Sequence, residues 1–130
     1  MCIRDSLSTL KKKQEVLGLA RLHPPKRLDV TDPVWPVSRA DVIYNANMVH
    51  IAPWIVAEGL FEGAARLLAP GGLLITYGPY KRDGKHTSES NAEFDDSLRR
   101  RNPDWGVRDL KDLARLGAVS YTHLTLPTKA

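Results

Sequence analysis

Four groups of residues in this 130-residue sequence carry side chains suited to chemistry: Asp29-Val30, Asn45-Ala46-Asn47 with His50 just beyond, Tyr77 and Tyr80 flanking Gly78-Pro79, and a polar run holding Lys81, Arg82 and His86, followed by Asn91. An imidazole titrates near neutrality, so His50 is the natural base for an acceptor oxygen or nitrogen that must lose a proton. Its competing reading is a satisfied histidine where a helix begins. Tyr80 offers an aromatic face to a cation or orients an acceptor, whereas Tyr77 reads as an ordinary strand residue. Lys81, Arg82, His86 and Asn91 are suited to a polar lid over an anionic or carboxylate-bearing substrate, with solvated loop charge as the alternative. His50, His86 and Asp83 do not show metal-ligand spacing, and no serine or cysteine nucleophile motif is present, so neither a metal nor a covalent intermediate is expected.

The elements that must position these groups follow from periodicity. Over residues 7–22, Leu10, Leu17 and Ala20 with Lys11–Lys13, Gln14 and Glu15 between them predict an amphipathic helix, weakened by Gly18 and stopped at Pro24-Pro25. Arg27-Leu-Asp-Val30 predicts a short strand closed by Thr31, Asp32 and Pro33. Asp41-Val-Ile-Tyr44 predicts a buried strand. A helix is expected beyond Pro53, with apolar positions 56, 60, 64, 67 and 68 on one face, ending at Pro70-Gly71-Gly72. Leu73-Leu-Ile-Thr-Tyr77 predicts a second buried strand, parallel to the first because the crossover is long enough, so the three elements form a right-handed βαβ unit. Residues 78–90 have no periodicity and read as a long functional loop. Ser90-Asn-Ala-Glu93 predicts a capping box for a third helix, with Asp95 and Asp96 paired to Arg99 and Arg100 at i+4. A last helix is expected from Val107 to about Gly117.

Composition bounds the function classes. One domain at most fits this length, and 42% hydrophobic with 26% charged residues is a globular balance. No apolar run approaches the roughly 20 residues of a bilayer-spanning helix, so no membrane partner is expected. The formal charge of +4 comes with only two short basic runs, neither interleaved with aromatics, so no nucleic-acid partner is expected. A single Cys and no secretory leader point to a cytoplasmic protein. Residues 1–6 and 119–130 resemble translated adaptor sequence and are expected to be non-native tails, although Tyr121-Thr-His-Leu-Thr-Leu126 also alternates like a strand.

The run Leu28-Asp-Val-Thr-Asp32, then His50-Ile-Ala-Pro-Trp54, Glu58-Gly-Leu60, Pro70-Gly-Gly72, Tyr77-Gly-Pro-Tyr80, Asp83-Gly84, His86-Thr87, Ser90-Asn91 and Trp105-Gly106 resembles the domain-of-unknown-function 938 family, which belongs to the class I S-adenosylmethionine-dependent methyltransferases. The resemblance spans about residues 25–118. It implies an α/β fold, a partial Rossmann-like methyltransferase domain over residues 7–118, with a mostly parallel sheet and flanking helices. S-adenosylmethionine is the implied cofactor, and an unidentified small molecule or protein the methyl acceptor. Ligands of open α/β sheets sit beyond the carboxyl ends of the strands. By the resemblance Asp29 accepts the adenine amine with the Val30 amide beside the ring, while Asn45, Ala46 and Asn47 pass under the methionine moiety. The alternative for Asp29 is a turn cap through Thr31, and for residues 45–47 plain turn chemistry. No Gly-x-Gly segment precedes Asp29, so the cofactor site is expected to be incomplete and the chain inactive alone. Two other classes stay open: a non-catalytic interaction protein with the same fold, and a nucleotide- or dinucleotide-binding oxidoreductase.

Overall fold

Asp41-Val-Ile-Tyr44 does form a strand, because β-branched and aromatic side chains fit a pleated, packed surface, and in the computed structural model it extends to β1 (Ala40–Ala46). The structure describes residues 3–18 and 20–120, with side chains from Leu7 onward. Around β1 the order is α1 (Ile3–Leu17), β1, α2 (Trp54–Leu67), β2 (Leu68–Tyr77), α3 (Glu89–Arg101) and α4 (Leu110–Ser120). The last ten residues, where most of the expected C-terminal tail falls, lie outside the described residues.

β1 and β2 are parallel neighbours, as the crossover length requires, with Val42 opposite Leu73, Asn45 opposite Thr76 and Ala46 opposite Tyr77. The described architecture is thus mixed α/β, a small parallel sheet of two strands with four helices. α2 covers one face through Ala57, Leu60, Phe61 and Ala64, and these join Val30, Trp35, Val49 and Leu113 in the core, with Ile43 and Leu74 of the sheet packed against it. The opposite face presents Val42, Tyr44, Leu73, Ile75 and Tyr77 to solvent. Among the described residues no helix is long and apolar enough to cross a membrane.

Several boundaries differ from expectation, each for a local reason. α1 stops at Leu17 rather than continuing to residue 22, because Gly18 turns left-handed (φ 59°) and donates its N–H back to the Glu15 carbonyl. Arg27-Leu-Asp-Val30 is not a strand; its last residue, Val30, and the following Trp35 pack on α2 instead, where glycines make room: a Cβ on Gly59 would stand 2.7 Å from the Val30 oxygen, and one on Gly63 2.0 Å from the Trp35 ring. The Val30 carbonyl accepts from Trp35 Nε1 at 3.3 Å, so the donor a ladder would supply comes from a side chain. Pro70-Gly71-Gly72 lies inside β2 and does not end the helix, because the chain leaves α2 already extended at Leu68. Ser88, not Ser90, caps α3, its hydroxyl accepting the Asn91 N–H at 3.1 Å. Val107 precedes α4 rather than opening it, and Asp109 caps that helix by accepting the Lys111 N–H at 2.9 Å.

Residues 78–90 are not irregular throughout. Asp83 (φ 51°) and Gly84 (φ 77°) occupy the two left-handed positions of a tight turn closed by reciprocal bonds between Arg82 and Lys85 at 2.9 and 3.0 Å. Asp-Gly is the favoured pair for that geometry. Lys81 is also stitched to the segment before α4: its N–H donates to the Arg108 carbonyl and its carbonyl accepts from Leu110.

Candidate functional site

The carboxyl ends of the two parallel strands adjoin, and the Asn47 N–H donates to the Tyr77 carbonyl at 2.9 Å. Just past β1 the chain turns at Asn47 (φ 54°), a left-handed position that asparagine tolerates better than most residues. That turn lets Val49 and His50 fold back under the strand exits, and both are buried. Asn45 lies on the covered face opposite Thr76; its amide donates weakly to Met48 Sδ at 3.5 Å, while its carbonyl oxygen is buried without a partner. Ala46 and Asn47 are exposed at the strand end.

His50 is only 4% exposed. Its ring meets Phe94 of α3 edge-on, with centroids 5.6 Å apart, and its carbonyl accepts the Gly106 N–H at 3.0 Å. Nδ1 is buried and unpartnered, as is the Tyr80 hydroxyl. The two meet at Gly78: a Cβ built there would lie 3.5 Å from His50 Nδ1 and 3.6 Å from the Tyr80 hydroxyl. Burial, helped by the positive charge of Arg108, pulls the His50 pKa below its ordinary 6.5, so the imidazole is neutral at pH 7 with one nitrogen free to accept a proton. Burial pushes the Tyr80 phenol up, opposed by the nearby Thr76 hydroxyl, so Tyr80 keeps its proton and is a donor. A neutral base and a protonated donor flank one backbone notch.

Beside the notch stands Asp95, also 4% exposed. Its carboxylate accepts from Arg99 Nε at 3.1 Å and from the Val107 N–H at 2.8 Å, with Lys81 Nζ at 3.5 Å and His86 Nε2 at 3.4 Å. Burial alone would raise its pKa, but the bonds from Arg99 and Val107 and the charges of Arg99 and Lys81 outweigh it and hold the carboxyl below its usual range. Lys81 and His86 therefore converge, although on Asp95 of α3 and not on a free opening. The buried Nδ1 of His86 has no partner. Arg82 sits in the tight turn, and Asn91, inside α3, donates to the Thr87 hydroxyl at 2.9 Å.

Asp29 is placed elsewhere. Its Oδ1 accepts from both the N–H and the hydroxyl of Thr31, at 2.9 and 2.7 Å, which lowers its pKa first through the hydroxyl bond. Both side-chain hydrogen bonds of Asp29 are thus local, and its neighbour Val30 is a core residue against α2. The expected convergence of three strand exits reduces to two, with Asn45, Asn47, His50 and Tyr80 at one edge and Asp29 on the turn along α2.

The sequence did not single out Arg108. Its guanidinium donates from Nε to the Val49 carbonyl at 3.2 Å, and from Nη2 to the carbonyls of Ala52 and Asp104, both at 2.8 Å. It also lies 5.6 Å from the Trp54 ring centroid. Arg108 therefore clamps the main chain on both sides of His50. Gly78 was expected only as part of the exit run after the second strand and Phe94 only on the apolar face of the third helix; their meeting with His50 is a contact between distant segments.

His50 Nδ1 and the Tyr80 hydroxyl thus face one backbone notch at Gly78, and Asn45, whose Oδ1 is also buried without a partner, lies near the carboxyl end of β1. A family model described as a protein of unknown function, DUF938, matches residues 3–128 of this sequence, and the chain belongs to that family.

Proposed function

We propose that this chain is part of an S-adenosylmethionine-dependent methyltransferase whose reaction centre lies at the carboxyl edge of β1 and β2. One observation carries the reading: adjoining exits of two parallel strands gather three buried, unpartnered polar atoms, Asn45 Oδ1, His50 Nδ1 and the Tyr80 hydroxyl. Buried polar groups are almost always hydrogen-bonded, so a cluster of exceptions at a strand edge calls for a ligand. The residues fit the sulfonium half of the cofactor in that Asn45 Oδ1 and His50 Nδ1 are unpartnered acceptor atoms suited to a cationic group. The adenine half is less provided for, since Asp29 spends Oδ1 on Thr31.

When bound, the cofactor would supply an electrophilic methyl group. His50 takes the proton that the acceptor atom sheds, at Nδ1, and its lowered pKa keeps that nitrogen open at neutral pH. Tyr80 donates a hydrogen bond that orients the acceptor, and Phe94, packed edge-on, fixes the imidazole plane. Asn47 holds the turn that brings His50 beneath the strands.

Calorimetric titration of S-adenosylhomocysteine tests the reading, both on the 130-residue chain and on a chain carrying further upstream residues of the same gene. Binding by the longer chain, weakened about tenfold by Asn45→Ala, is expected. Absence of heat in both chains overturns the reading. The solvent-facing sheet surface of Val42, Tyr44, Leu73, Ile75 and Tyr77 supports a second reading, an interaction protein that keeps the fold. In that case neither chain takes up the cofactor product, and Tyr44→Lys abolishes partner binding.

A further inference from the structure

The tight turn at Asp83-Gly84, the strap before α4 and α4 itself enclose a broad solvent-open depression of about 710 Å³ whose lining includes Trp54, Lys81, Arg108, Asp112, Arg115 and Leu116. Arg108 is the unusual member. Nε and Nη2 are held by three main-chain carbonyls, so the guanidinium is fixed in place before any ligand arrives. Among the described residues no carboxylate forms an ion pair with it, and the two donors on Nη1 are neither used within the protein nor buried. Lys81 and Arg99, also in the lining, share one carboxylate, Asp95, so that pair too leaves positive charge in excess. Arg115 reaches Asp112 at 3.1 Å on the exposed rim. With Nε and both Nη2 hydrogens committed, the two N–H groups of Nη1 are left to donate to an oxyanion, a charge-assisted contact from a group already held in place.

We propose that this depression binds an oxyanionic group of a small molecule, with Arg108 Nη1 as its principal contact and Lys81 and Arg115 as flanking charges. The depression adjoins the notch. Lys81 follows Tyr80 directly, and Arg108 grips the carbonyls of Val49 and Ala52 on either side of His50. Resting on the methyl-transfer reading, this names the acceptor class: a small protic molecule with an anionic end held at Arg108. The rim carboxylates Asp109 and Asp112 disfavour a polyanion and leave room for one oxyanion.

The test needs no cofactor, so its failure and that of the methyl-transfer reading are separable. Inorganic phosphate and succinate are titrated separately into the full chain at constant ionic strength, following the Trp54 indole N–H by NMR. A saturable shift is expected with at least one probe. Phosphate alone, succinate alone or both saturating identifies a phosphate, a carboxylate or a shared oxyanion site. Arg108→Lys, which keeps the charge but cannot hold three carbonyls and still present two N–H groups, should weaken binding about tenfold. Arg115→Glu, on an exposed side chain that leaves the fold intact, should weaken it about fivefold, while Lys12→Glu on α1 changes nothing. No saturable shift with either probe overturns the proposal. So does a shift of equal affinity in the wild type and in Arg115→Glu.

Discussion

Asp95 and His50 are equally buried, at 4% exposure each, and belong to neighbouring parts of the same edge, yet they are treated in opposite ways. Asp95 is surrounded by two cations, an imidazole and a backbone N–H, so its lone pairs are used. His50 keeps Nδ1 unpartnered, and so does its neighbour Tyr80 at the hydroxyl. A buried polar group with all its bonds made joins segments together; one left short costs stability and is kept for what it can bind. On the proposed function, the contrast sets a polar residue that joins segments against one left open for a ligand.

The largest effect that tests this contrast is on stability at Asp95. Asp95→Ala removes the group on which Arg99, Val107, Lys81 and His86 converge, and is expected to cost about 3 kcal/mol, less than a wholly buried pair because Arg99 is largely exposed. Urea unfolding measures it, and a loss below about 1 kcal/mol would mean that the node does not hold α3 to the strap. Next comes His50→Gln, expected on the proposed function to slow methyl transfer about 100-fold while changing stability by less than about 1 kcal/mol. Single-turnover assays with denaturation of the same sample check both, and a large stability loss would move His50 to the structural side of the comparison.

A smaller effect has an unusual sign. Tyr80→Phe deletes a buried hydroxyl that approaches Thr76 without a hydrogen bond of normal geometry, so stability should stay level or rise by up to about 1 kcal/mol, where loss of a well-bonded hydroxyl would lower it. Thermal unfolding of the variant decides between these. The smallest effect is on pH dependence. Because the folded-state pKa of His50 lies below 6.5, the unfolded chain takes up the proton first as the solution is acidified. Its contribution is whole above about pH 6.5 and drains away below it, and that slope should vanish in His50→Gln. Asp95, whose folded pKa is lowered from 3.8, keeps its contribution down to that value and loses it only in stronger acid, so the two residues report in separate windows of a denaturation series.

The sequence made the parallel βαβ arrangement legible because it depends on local patterns: a β-branched run, a helical face after Pro53, and a crossover of sufficient length. It also showed the Asp95–Arg99 contact, an i+4 pair within one helix, whereas the Asp96–Arg100 pair expected beside it is not among the ion pairs of the described residues. It did not show that the first pair would be buried against residues 81–86 and 107. Arg27-Leu-Asp-Val30 misled for the same reason, since its strand-like composition says nothing about the glycine-lined face of α2 on which its last residue packs. His50 and Tyr80 were candidates by chemical type and by their place after predicted strands, Asn45 by the resemblance, and Arg108 was not one.

What the sequence determined by itself was the kind and order of the elements around the strand edge, because hydrophobic period and turn chemistry act over a few residues. Tertiary structure alone decided which polar atoms were paired and which were left open. Partners such as Arg108 and Val49, or Asp95 and Lys81, are far apart along the chain, and hydrogen-bond satisfaction is settled only when those segments meet.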